Sequence, residues 1–396
     1  MDLDNTQNTQ SFPGICPSHA KCGGCSYQGV AYEDQIKNKL GELKGFLKAE
    51  GLDPQIVTGI KPSPCRYRYR NKMEYTFGNE VKDGPTVLGL HAKKSYISIV
   101  SASECQLVPQ DFNRILDSVM KFAESKGYSH YNKKTHLGLM RSLIIRHGVR
   151  TGELLVNIAT SSQGEFDKDG FTQMLLSLNL ENSITGILHT VNDNKADALI
   201  ADKVDLLYGR PFYRDIILGL SFNVGAFSFF QTNVEAAERL YSDAISLIDG
   251  LEGKTVYDLY CGTGTMTQAM ALKAKKAIGV EIVEEAVQTA KDSALLNGLS
   301  NCEFISGDVQ EVLSGISVKP DVIMVDPPRA GIMPKALLQI LSYGVPQIVY
   351  VSCNPKTLAA NLRSAAMSGY RTVSVTAYDN FSFTKHTECI ALLEKE

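Results

Sequence analysis

A cysteine at the end of a predicted strand is the feature of this chain with the clearest chemical potential. Cys353 closes the apolar run QIVYVSC and is followed directly by Asn354 and Pro355. Because proline cannot continue a strand, the chain must turn immediately after the thiol. Two interpretations are open. Cys353 is either a small buried hydrophobic residue, which is common for cysteine, or a nucleophile that the strand end directs into a cleft.

A glycine-containing loop lies between an earlier predicted strand and helix. The segment DLYCGTGT spans Asp258 to Thr265, and its glycines allow a tight turn and a close approach of the backbone to a ligand. The third glycine of a dinucleotide-binding fingerprint is missing, since Met266 and Thr267 follow Gly264, and this disfavours a pyrophosphate ligand. The carboxylate of Asp258 is also unfavourable beside a pyrophosphate and suits a zwitterionic ligand.

Carboxylates end the next two predicted strands. Glu281 ends AIGVEI, where it can accept both ribose hydroxyls of an adenosine, and Asp308 ends CEFISGD, where it can meet the adenine. With the glycine loop, this pattern resembles class I S-adenosylmethionine-dependent methyltransferases; the alternative is a set of ordinary helix caps and turn residues. The loop DPPRAG, Asp326–Gly331, follows the fourth strand of the series, and similar acidic-Pro-Pro loops occur in methyltransferases that act on bases.

A methyl transfer needs a thiol only for certain acceptors. Nitrogen and oxygen can be methylated directly, whereas C5 of uracil is a poor nucleophile. Addition of a thiolate to C6 breaks the conjugation of the ring and makes C5 enolate-like, so that C5 can attack a methyl group. A base must then remove the C5 proton before the thiol can leave. The candidate base is Glu388 at the start of the last apolar strand; the alternative is a solvated acid at a strand edge.

Three cysteines near the amino terminus indicate a metal site. Cys16, Cys22 and Cys25 have the spacing C-x5-C-x2-C, and closely spaced thiols without a secretion signal favour metal binding over disulfides. Zinc and iron–sulfur clusters both take four thiolates, so the metal stays open. The spacing differs from the C-x3-C-x2-C of radical enzymes, which disfavours a radical mechanism. Cys105 is the best candidate for the fourth ligand, and Cys65 is its competitor.

Five motifs occur together in one order along the chain. They are FFQTN (229–233), DLYCGTG (258–264), DPPRAG (326–331), VSCNP (351–355) and HTE (386–388). Together they resemble the RNA 5-methyluridine methyltransferases, which methylate uracil C5 in transfer and ribosomal RNA. The resemblance implies that Cys353 is the nucleophile and Glu388 the base. It also implies that the residues that bind the methyl donor or lie against the target base are Gln231, Tyr260, Thr265, Glu281, Asp308 and Asp326.

The resemblance extends to the amino-terminal cysteines. A subset of the family carries a [4Fe-4S] cluster on this pattern, with a fourth cysteine in a C-x-L context like that of Cys105. The implied cluster ligands are Cys16, Cys22, Cys25 and Cys105. The cluster favours 23S ribosomal RNA over transfer RNA as substrate, because the best-known transfer-RNA members lack these cysteines. Since only fifteen residues precede Cys16, we expect the branch without the small amino-terminal β-barrel (TRAM) domain of longer members.

A basic stretch is the candidate contact with RNA. From Lys61 to Lys72 there are five basic residues and no acid, interleaved with tyrosines. This composition is expected of an RNA-contacting strand, in which cations meet phosphates and rings meet unstacked bases; the alternative is a solvated strand edge protected by charge. The residues that extend the patch are Arg141, Arg146, His147 and Arg150. The family resemblance further implies that Phe229 or Phe230 stacks on an extruded uracil.

The order of predicted elements must bring these residues together. An amphipathic helix precedes Gly51, with Ile36, Leu40, Leu43 and Leu47 on one face. Residues 65–225 are β-rich and irregular, and from about residue 230 strands and helices alternate, which predicts a parallel sheet with its ligand site at the carboxyl ends of the strands. We therefore predict an α/β protein. Its parts are a disordered leader (1–11), an iron–sulfur and central α+β RNA-binding domain (12–230) and a Rossmann-like class I methyltransferase domain (231–396).

Composition limits the class of protein. A net charge of −3 and a pI of about 6.2 argue against a protein that coats nucleic acid without selectivity. The first fifteen residues are polar without an apolar core, and no apolar run is long enough to span a bilayer. We expect a cytoplasmic monomer that acts on RNA and does not contact membranes. The alternatives that stay open are a transfer-RNA uridine methyltransferase, a methyltransferase acting on an exocyclic amine, and a non-enzymatic iron–sulfur RNA-binding protein.

Overall fold

The structure is a computed structural model that describes residues 14–195, 202–316 and 318–396. The predicted disordered leader, residues 1–11, lies outside the described residues. Within those ranges, no helix combines the length and the apolar character that crossing a membrane requires.

The described elements form two large sheets with their covering helices, and a separate two-stranded antiparallel sheet of the ninth and tenth strands. The helices are α1 (Tyr32–Ala49), a 3-10 turn (Pro54–Ile56), α2 (Gln110–Ser125), α3 (Lys168–Leu176), α4 (Val234–Ser246), α5 (Thr265–Ala271), α6 (Glu284–Leu296), α7 (Val309–Gly315), α8 (Pro334–Ser342) and α9 (Pro355–Ala366). The first strands are β1 (Val57–Lys61), β2 (Lys72–Asn79), β3 (Thr86–His91), β4 (Ile99–Ser101), β5 (Met140–His147), β6 (Glu153–Thr160), β7 (Ser183–Val191), β8 (Lys203–Gly209), β9 (Phe212–Ile217) and β10 (Leu220–Gly225). The later strands are β11 (Thr255–Leu259), β12 (Lys276–Glu281), β13 (Cys302–Ser306), β14 (Val322–Val325), β15 (Gln347–Ser352), β16 (Tyr370–Tyr378) and β17 (Glu388–Lys395).

Strands β11 to β17, together with β1, build an eight-stranded sheet in the order β1-β16-β17-β15-β14-β11-β12-β13. The strands from β11 to β15 are parallel to their neighbours within this group, as the alternation of strands and helices predicted. The last strand, β17, runs antiparallel between β15 and β16. It reverses direction because only the connection 379–387 separates it from β16, which is too short for a helical crossover.

A second, seven-stranded sheet has the order β4-β3-β2-β5-β6-β7-β8. Its pairs are antiparallel except for β6 with β7, and α2 and α3 cover one face with an apolar core. The basic stretch before β2 is irregular, although a strand was predicted to start within it. Pro62 and Pro64 lack the backbone donors that a sheet ladder needs, and Arg68 has a φ of 57°.

The first strand is part of the eight-stranded sheet, and the first helix packs against it. β1 pairs with the edge strand β16, and α1 packs against the same apolar core as α9. The part of the fold built on the eight-stranded sheet therefore includes residues from the range 12–230, which was predicted to form the other domain. The buried residues of α1 are Gln35, Lys39, Leu43 and Leu47. The buried face thus differs from the predicted apolar face at its amino-terminal end, where Gln35 and Lys39 are buried and the predicted Ile36 and Leu40 are only partly buried.

One loop joins the two sheets. Arg146 is 1% exposed, its Nε donates to the carbonyl of Ala226 at 2.9 Å, and its Nη2 donates to the carbonyl of Ser228. Nearby, the side chain of Asn71 donates to the carbonyl of Gln231 at 2.9 Å. The loop that carries the FFQTN motif is therefore fixed to the seven-stranded sheet. Arg146 is committed to this role and does not extend an RNA-facing patch, as the sequence had suggested.

Candidate active site

The predicted site residues meet at one edge of the eight-stranded sheet. Tyr260 follows β11, Glu281 ends β12, Asp326 follows β14 and Cys353 follows β15. Because these strands are parallel, their carboxyl ends lie side by side. Asp308 follows β13 at the outer end of the same edge. The fold thus brings the cofactor motifs and the candidate nucleophile together, where the sequence placed them.

The turn after Cys353 explains the Asn-Pro that follows it. Asn354 is the N-cap of α9, its Oδ1 accepts from the backbone N–H of Lys356 at 3.2 Å, and Pro355 is the first residue of the helix. The Asn354 side-chain amide also donates to the carbonyl of Arg329 at 2.9 Å. The strand therefore ends abruptly and the thiol is held beside the DPPRAG loop.

The pairing of β15 with β17 places Cys353 opposite Glu388. The last registered pair is Ser352 with Cys389, so the next pair outward consists of Cys353 and Glu388. Opposite residues of an antiparallel pair project to the same face, with Cα atoms about 5 Å apart. On its other side, Glu388 is paired with Tyr378 of β16. The thiol and the carboxyl that were predicted to act together are thus neighbours across two strands.

Burial dominates the electrostatics of this pair. The pKa of Glu388 is raised to about 8, first by burial and then by the negative charge of Asp326, while the positive charges of Lys39 and Arg329 oppose the shift. Burial likewise raises the pKa of Asp326 to about 6. The pKa of the Cys353 thiol is raised to about 11, first by burial and then by Glu388 and Asp326, with Arg329 opposing. With these pKa values, the Cys353 thiol is protonated at physiological pH, and the Glu388 carboxyl is mostly protonated and therefore uncharged.

The glycine loop and Glu281 form a cradle for a polar ligand. Tyr260, Gly262 and Gly264 have positive φ values of 68°, 54° and 74°, which let the chain turn sharply after β11. Each carboxylate oxygen of Glu281 accepts one backbone N–H, from Gly262 at 3.1 Å and from Val283 at 3.0 Å. Each oxygen keeps a lone pair, so the carboxylate can still accept two ribose hydroxyls. A Cβ at Gly262 would meet nothing within 4 Å, so space is open beside the loop.

A buried carboxyl under the loop fits a zwitterionic methyl donor. Asp258 is 1% exposed; its Oδ2 accepts from the hydroxyl of Thr267, while Oδ1 is buried and has no hydrogen-bond partner within the described ranges. Burial raises the pKa of Asp258 to about 7. A ligand with a positive charge would satisfy this oxygen and favour its ionised form. The residues present therefore fit S-adenosylmethionine.

The remaining predicted cofactor residues lie around this cradle. Gln231 donates through Nε2 to the hydroxyl of Tyr241 at 2.8 Å, and burial followed by the charge of Asp326 raises the pKa of Tyr241. Thr265 is buried at the start of α5. Asp308 is the exposed N-cap of α7 and accepts from the backbone N–H of Gln310 at 2.9 Å, so a contact with adenine would add to a capping role.

The structure distinguishes between the two phenylalanines of FFQTN. Phe229 is 69% exposed, whereas Phe230 is 5% exposed and packs in the core beneath α4. Only Phe229 is available to stack on an extruded base. The tyrosines of the basic stretch are not available either, because Tyr67 and Tyr69 are 8% and 5% exposed. Arg66 and Arg68, which alternate with these tyrosines, are exposed, so this segment can offer cations to phosphates but no rings to bases.

The four cysteines that were predicted to bind a cluster line one cavity. Cys16, Cys22, Cys25 and Cys105 share a cavity of about 220 Å³, with Arg70 among its other lining residues. As the side chains stand, no group of three or more His, Cys, Asp or Glu in the described parts of the chain could hold a metal ion. The thiols surround a volume and do not converge on one point. Four thiols around one cavity are a donor set that either a zinc ion or an iron–sulfur cluster accepts.

The competing ligand, Cys65, is placed differently. Its thiol donates to the carbonyl of Tyr67 at 2.7 Å and it packs in a small core beside Cys25 and Cys105 without lining the cavity. Burial and the neighbouring thiols raise the pKa of Cys25 to about 12, and burial raises that of Cys105 to about 11. Deprotonation of these thiols therefore depends on a bound metal, which stabilises thiolates.

Three residues that influence the site were not assigned a role from the sequence. Arg329 lies within DPPRAG, and its charge favours the ionised forms of Cys353 and Glu388. Tyr241 and Lys39 come from helices that carry no motif. Arg329 could have been noticed from the sequence, because it is a basic residue within the DPPRAG motif. Tyr241 and Lys39 could not, because only tertiary packing brings them to the site.

Comparison with known proteins agrees with this geometry. A family model described as tRNA (Uracil-5-)-methyltransferase matches residues 219–396. An uncharacterized RNA methyltransferase of Clostridium tetani is 44% identical over 381 residues, covering 96% of this chain and 84% of that protein. A second, from Caldanaerobacter subterraneus, is 45% identical over 380 residues, with the same two shares of 96% and 84%.

The solved structures include one that is similar across both sheets. The Pyrococcus abyssi tRNA (uracil-54, C5)-methyltransferase in complex with S-adenosyl-L-homocysteine has a TM-score of 0.77 and 28% sequence identity. The match covers 94% of this chain and 86% of that one. The similarity therefore includes the seven-stranded sheet as well as the part that carries the motifs.

The raised pKa of Glu388 predicts a pH-dependent effect of Glu388→Gln on stability. Between the ordinary value of 4.5 and the folded-state value of about 8, the carboxyl is ionised in the unfolded chain but protonated in the folded one. Stability of the wild type therefore falls as pH rises through this window, whereas glutamine does not titrate. We expect the melting temperature of Glu388→Gln to rise relative to wild type between about pH 5 and pH 8, by on the order of 2–4 °C.

Thermal melts at several pH values test this expectation. Glu124→Gln, at an exposed position of α2, is the matched control and should show no such trend. A melting-temperature difference for Glu388→Gln that does not change with pH would contradict the raised pKa.

Proposed function

The chain belongs to the RNA (uracil-5-)-methyltransferase family, and from this premise we propose that it methylates C5 of a uridine in 23S ribosomal RNA through a covalent adduct between Cys353 and C6. Family membership supports uracil C5 as the acceptor and not an exocyclic amine, and an enzyme and not a binding protein. The observation that carries the mechanism is the position of Cys353 directly across β15 and β17 from Glu388.

Cys353 opens the reaction as the nucleophile. Its sulfur adds to C6 of the uracil and the electron pair of the C5–C6 double bond moves toward the C4 carbonyl, so that C5 becomes nucleophilic. The raised pKa of the thiol, about 11, means that its proton must be transferred to water as the C–S bond forms. The positive charge of Arg329 favours the thiolate.

The cradle between the glycine loop and Glu281 would hold S-adenosylmethionine, which would supply an electrophilic methyl group. Glu281, whose two carboxylate oxygens each accept one backbone N–H, would accept the ribose hydroxyls, and Asp308 would lie near the adenine. The other residues that the family resemblance assigns to the donor or the target base are Gln231, Tyr260, Thr265 and Asp326.

Glu388 closes the reaction as the base. It accepts the C5 proton, the electron pair of that C–H bond forms the new C5–C6 double bond, and the C6–S bond breaks with its electrons returning to Cys353. A carboxyl with a pKa of about 8 is partly ionised near neutral pH and holds the proton more firmly than an exposed glutamate would. The exposed ring of Phe229 is placed to stack on a uridine that has left its helix.

Trapping with 5-fluorouridine RNA tests the covalent mechanism. Fluorine at C5 cannot leave as a proton, so we expect the wild type to form a lasting RNA–protein adduct, detected on denaturing gels and by mass spectrometry. Cys353→Ser should form none and lose methylation of ordinary RNA. Glu388→Gln should accumulate an adduct even on ordinary RNA, with product formation about 100- to 10,000-fold slower.

The control for this experiment is Cys302→Ser, at a half-buried cysteine on β13, which should react like the wild type. Full methylation activity of Cys353→Ser, together with no adduct in the wild type, would contradict the mechanism.

Ribosomal RNA is the proposed substrate because of the four cysteines around one cavity, which the family resemblance associates with ribosomal RNA enzymes. Transfer RNA is the second candidate, favoured by the similarity to an archaeal enzyme named for uracil-54 of tRNA. We expect purified protein with labelled S-adenosylmethionine to methylate ribosomal RNA isolated from cells that lack the gene, and not their transfer RNA. Mapping of 5-methyluridine in both RNAs from the same cells is the independent measurement, and loss of the modification from transfer RNA alone would reverse the assignment.

A [4Fe-4S] cluster bound by Cys16, Cys22, Cys25 and Cys105 is proposed for the cysteine cavity. We expect anaerobically purified protein to be brown, with absorbance at about 400 nm and about four iron and four sulfide per chain. Cys105→Ser should lose most of the iron, whereas Cys65→Ser should retain it. One zinc per chain without sulfide, or iron loss in Cys65→Ser instead, would contradict the proposal.

A further inference from the structure

Lys39 is a fully buried lysine whose partner lies next to the strand pair that carries Glu388. Lys39 and Asp379 form an ion pair in which neither side chain is exposed. Asp379 directly follows Tyr378, which is paired with Glu388 across β16 and β17. Lys39 also donates to the carbonyl of Phe381 at 3.2 Å. A helix from the amino-terminal part of the chain therefore grips the 379–387 connection that leads to the proposed base.

Other side chains of α1 hold the same connection. The hydroxyl of Tyr32 donates to Asp379 Oδ2 at 2.7 Å, and the backbone N–H of Phe383 donates to Gln35 Oε1 at 3.0 Å. Within the connection, the hydroxyl of Ser382 also donates to Asp379 Oδ2, at 3.0 Å. Tyr32, Gln35 and Lys39 thus form one polar surface on α1, and all three contact residues 379–383.

A buried ion pair is an expensive way to pack a helix. Removing two charges from water carries a large desolvation cost, and apolar residues of similar volume often stabilise a fold equally well. The carboxyl-terminal half of the buried face of α1 is apolar, with Leu43 and Leu47. The buried polar residues Gln35 and Lys39 lie in the amino-terminal half of α1, which is the half that contacts residues 379–383. Packing alone therefore does not account for the lysine.

We propose that Lys39 is a positioning residue for methylation: through Asp379 it fixes the 379–387 connection that leads to Glu388, and it places a buried positive charge beside the β16–β17 pair that carries this base. This inference rests on the proposed role of Glu388 as the base. The titratable groups around Glu388 are Lys39, Asp326, Arg329, Cys353, Tyr241 and Cys389, with Asp379 as the ion-pair partner of Lys39. Burial lowers the pKa of Lys39, and the carboxylates of Asp379 and Glu388 oppose that shift and favour its charged form. Of the groups around Glu388, Asp326 opposes its ionisation, and Lys39 and Arg329 favour it. Since Arg329 is exposed, solvent screens its charge, whereas Lys39 is shielded from solvent.

The variant Lys39→Met should slow one step of the reaction and not the other. Formation of the Cys353–C6 adduct, measured with 5-fluorouridine RNA, does not require loss of the C5 proton and should keep its rate. Breakdown of the adduct on ordinary RNA requires ionised Glu388. If its pKa rises by one unit, the ionised fraction falls about tenfold, so we expect adduct breakdown to slow about tenfold or more and the adduct to accumulate.

The pH profile separates charge from simple support. Breakdown of preformed adduct should rise with pH as Glu388 ionises, and in Lys39→Met this rise should move to higher pH. Lys44→Met, at an exposed position of the same helix, is the matched control and should behave as wild type. Because Lys39→Met leaves Asp379 buried without its cation, the double variant Lys39→Met/Asp379→Asn provides a folded comparison without either charge. It should also break the adduct down slowly, but with a smaller displacement of the pH profile, because loss of the Asp379 carboxylate offsets part of the loss of the Lys39 cation.

The outcomes distinguish this inference from the proposed mechanism. If the wild type forms no adduct with 5-fluorouridine RNA, the covalent mechanism itself fails. If the wild type forms the adduct and the folded single or double variant breaks it down at the wild-type rate and pH, the role of Lys39 is overturned. Equal slowing of adduct formation and breakdown, with an unshifted pH profile, would also overturn it, because that pattern indicates only general structural support.

Discussion

The antiparallel pairing of β17 with β15 is the constraint on which the candidate active site depends. It brings a thiol that follows one strand and a carboxyl that opens another into adjacent positions on one face of the sheet. The two side chains are aligned by a ladder of backbone hydrogen bonds, which is more rigid than a pair of loops would be. A slip of one residue would turn Glu388 to the opposite face of the sheet and away from Cys353. Glu388 is also fixed from its other side, by pairing with Tyr378.

The same edge of the sheet concentrates buried and partly buried carboxyl groups. Asp258, Asp326 and Glu388 all have pKa values raised by burial, to about 7, about 6 and about 8. Such a site favours a positively charged ligand, because a cation restores the ionised forms that burial disfavours. S-adenosylmethionine carries positive charge next to the methyl group that it transfers, so its binding and the ionisation of these acids support each other. Lys39 and Arg329 supply the charge that comes from the protein itself.

The motifs predicted the site more completely than the elements predicted the fold. Strand ends followed by Tyr260, Glu281 and Cys353 could be placed from the alternation of strands and helices, because parallel strands present their carboxyl ends at one edge. The reversal of β17 could not, since its apolar pattern is the same in either direction. The burial of Lys39 was also missed, because a lysine within an amphipathic pattern is normally solvated, and its partner Asp379 is distant in sequence.

The cysteine-bearing segment is part of the support for the 379–387 connection. The backbone N–H groups of Ser26 and Tyr27, which follow Cys25, both donate to the carbonyl of Phe383 at 2.9 Å. The backbone N–H of the same residue, Phe383, donates to the side chain of Gln35 on α1. The connection is therefore held between two amino-terminal elements. A cluster in the cysteine cavity would cross-link the segment before Ser26 to Cys105 and hold this connection in place. It would then serve methylation by rigidity alone, without any transfer of electrons, which is consistent with a reaction that has no redox step.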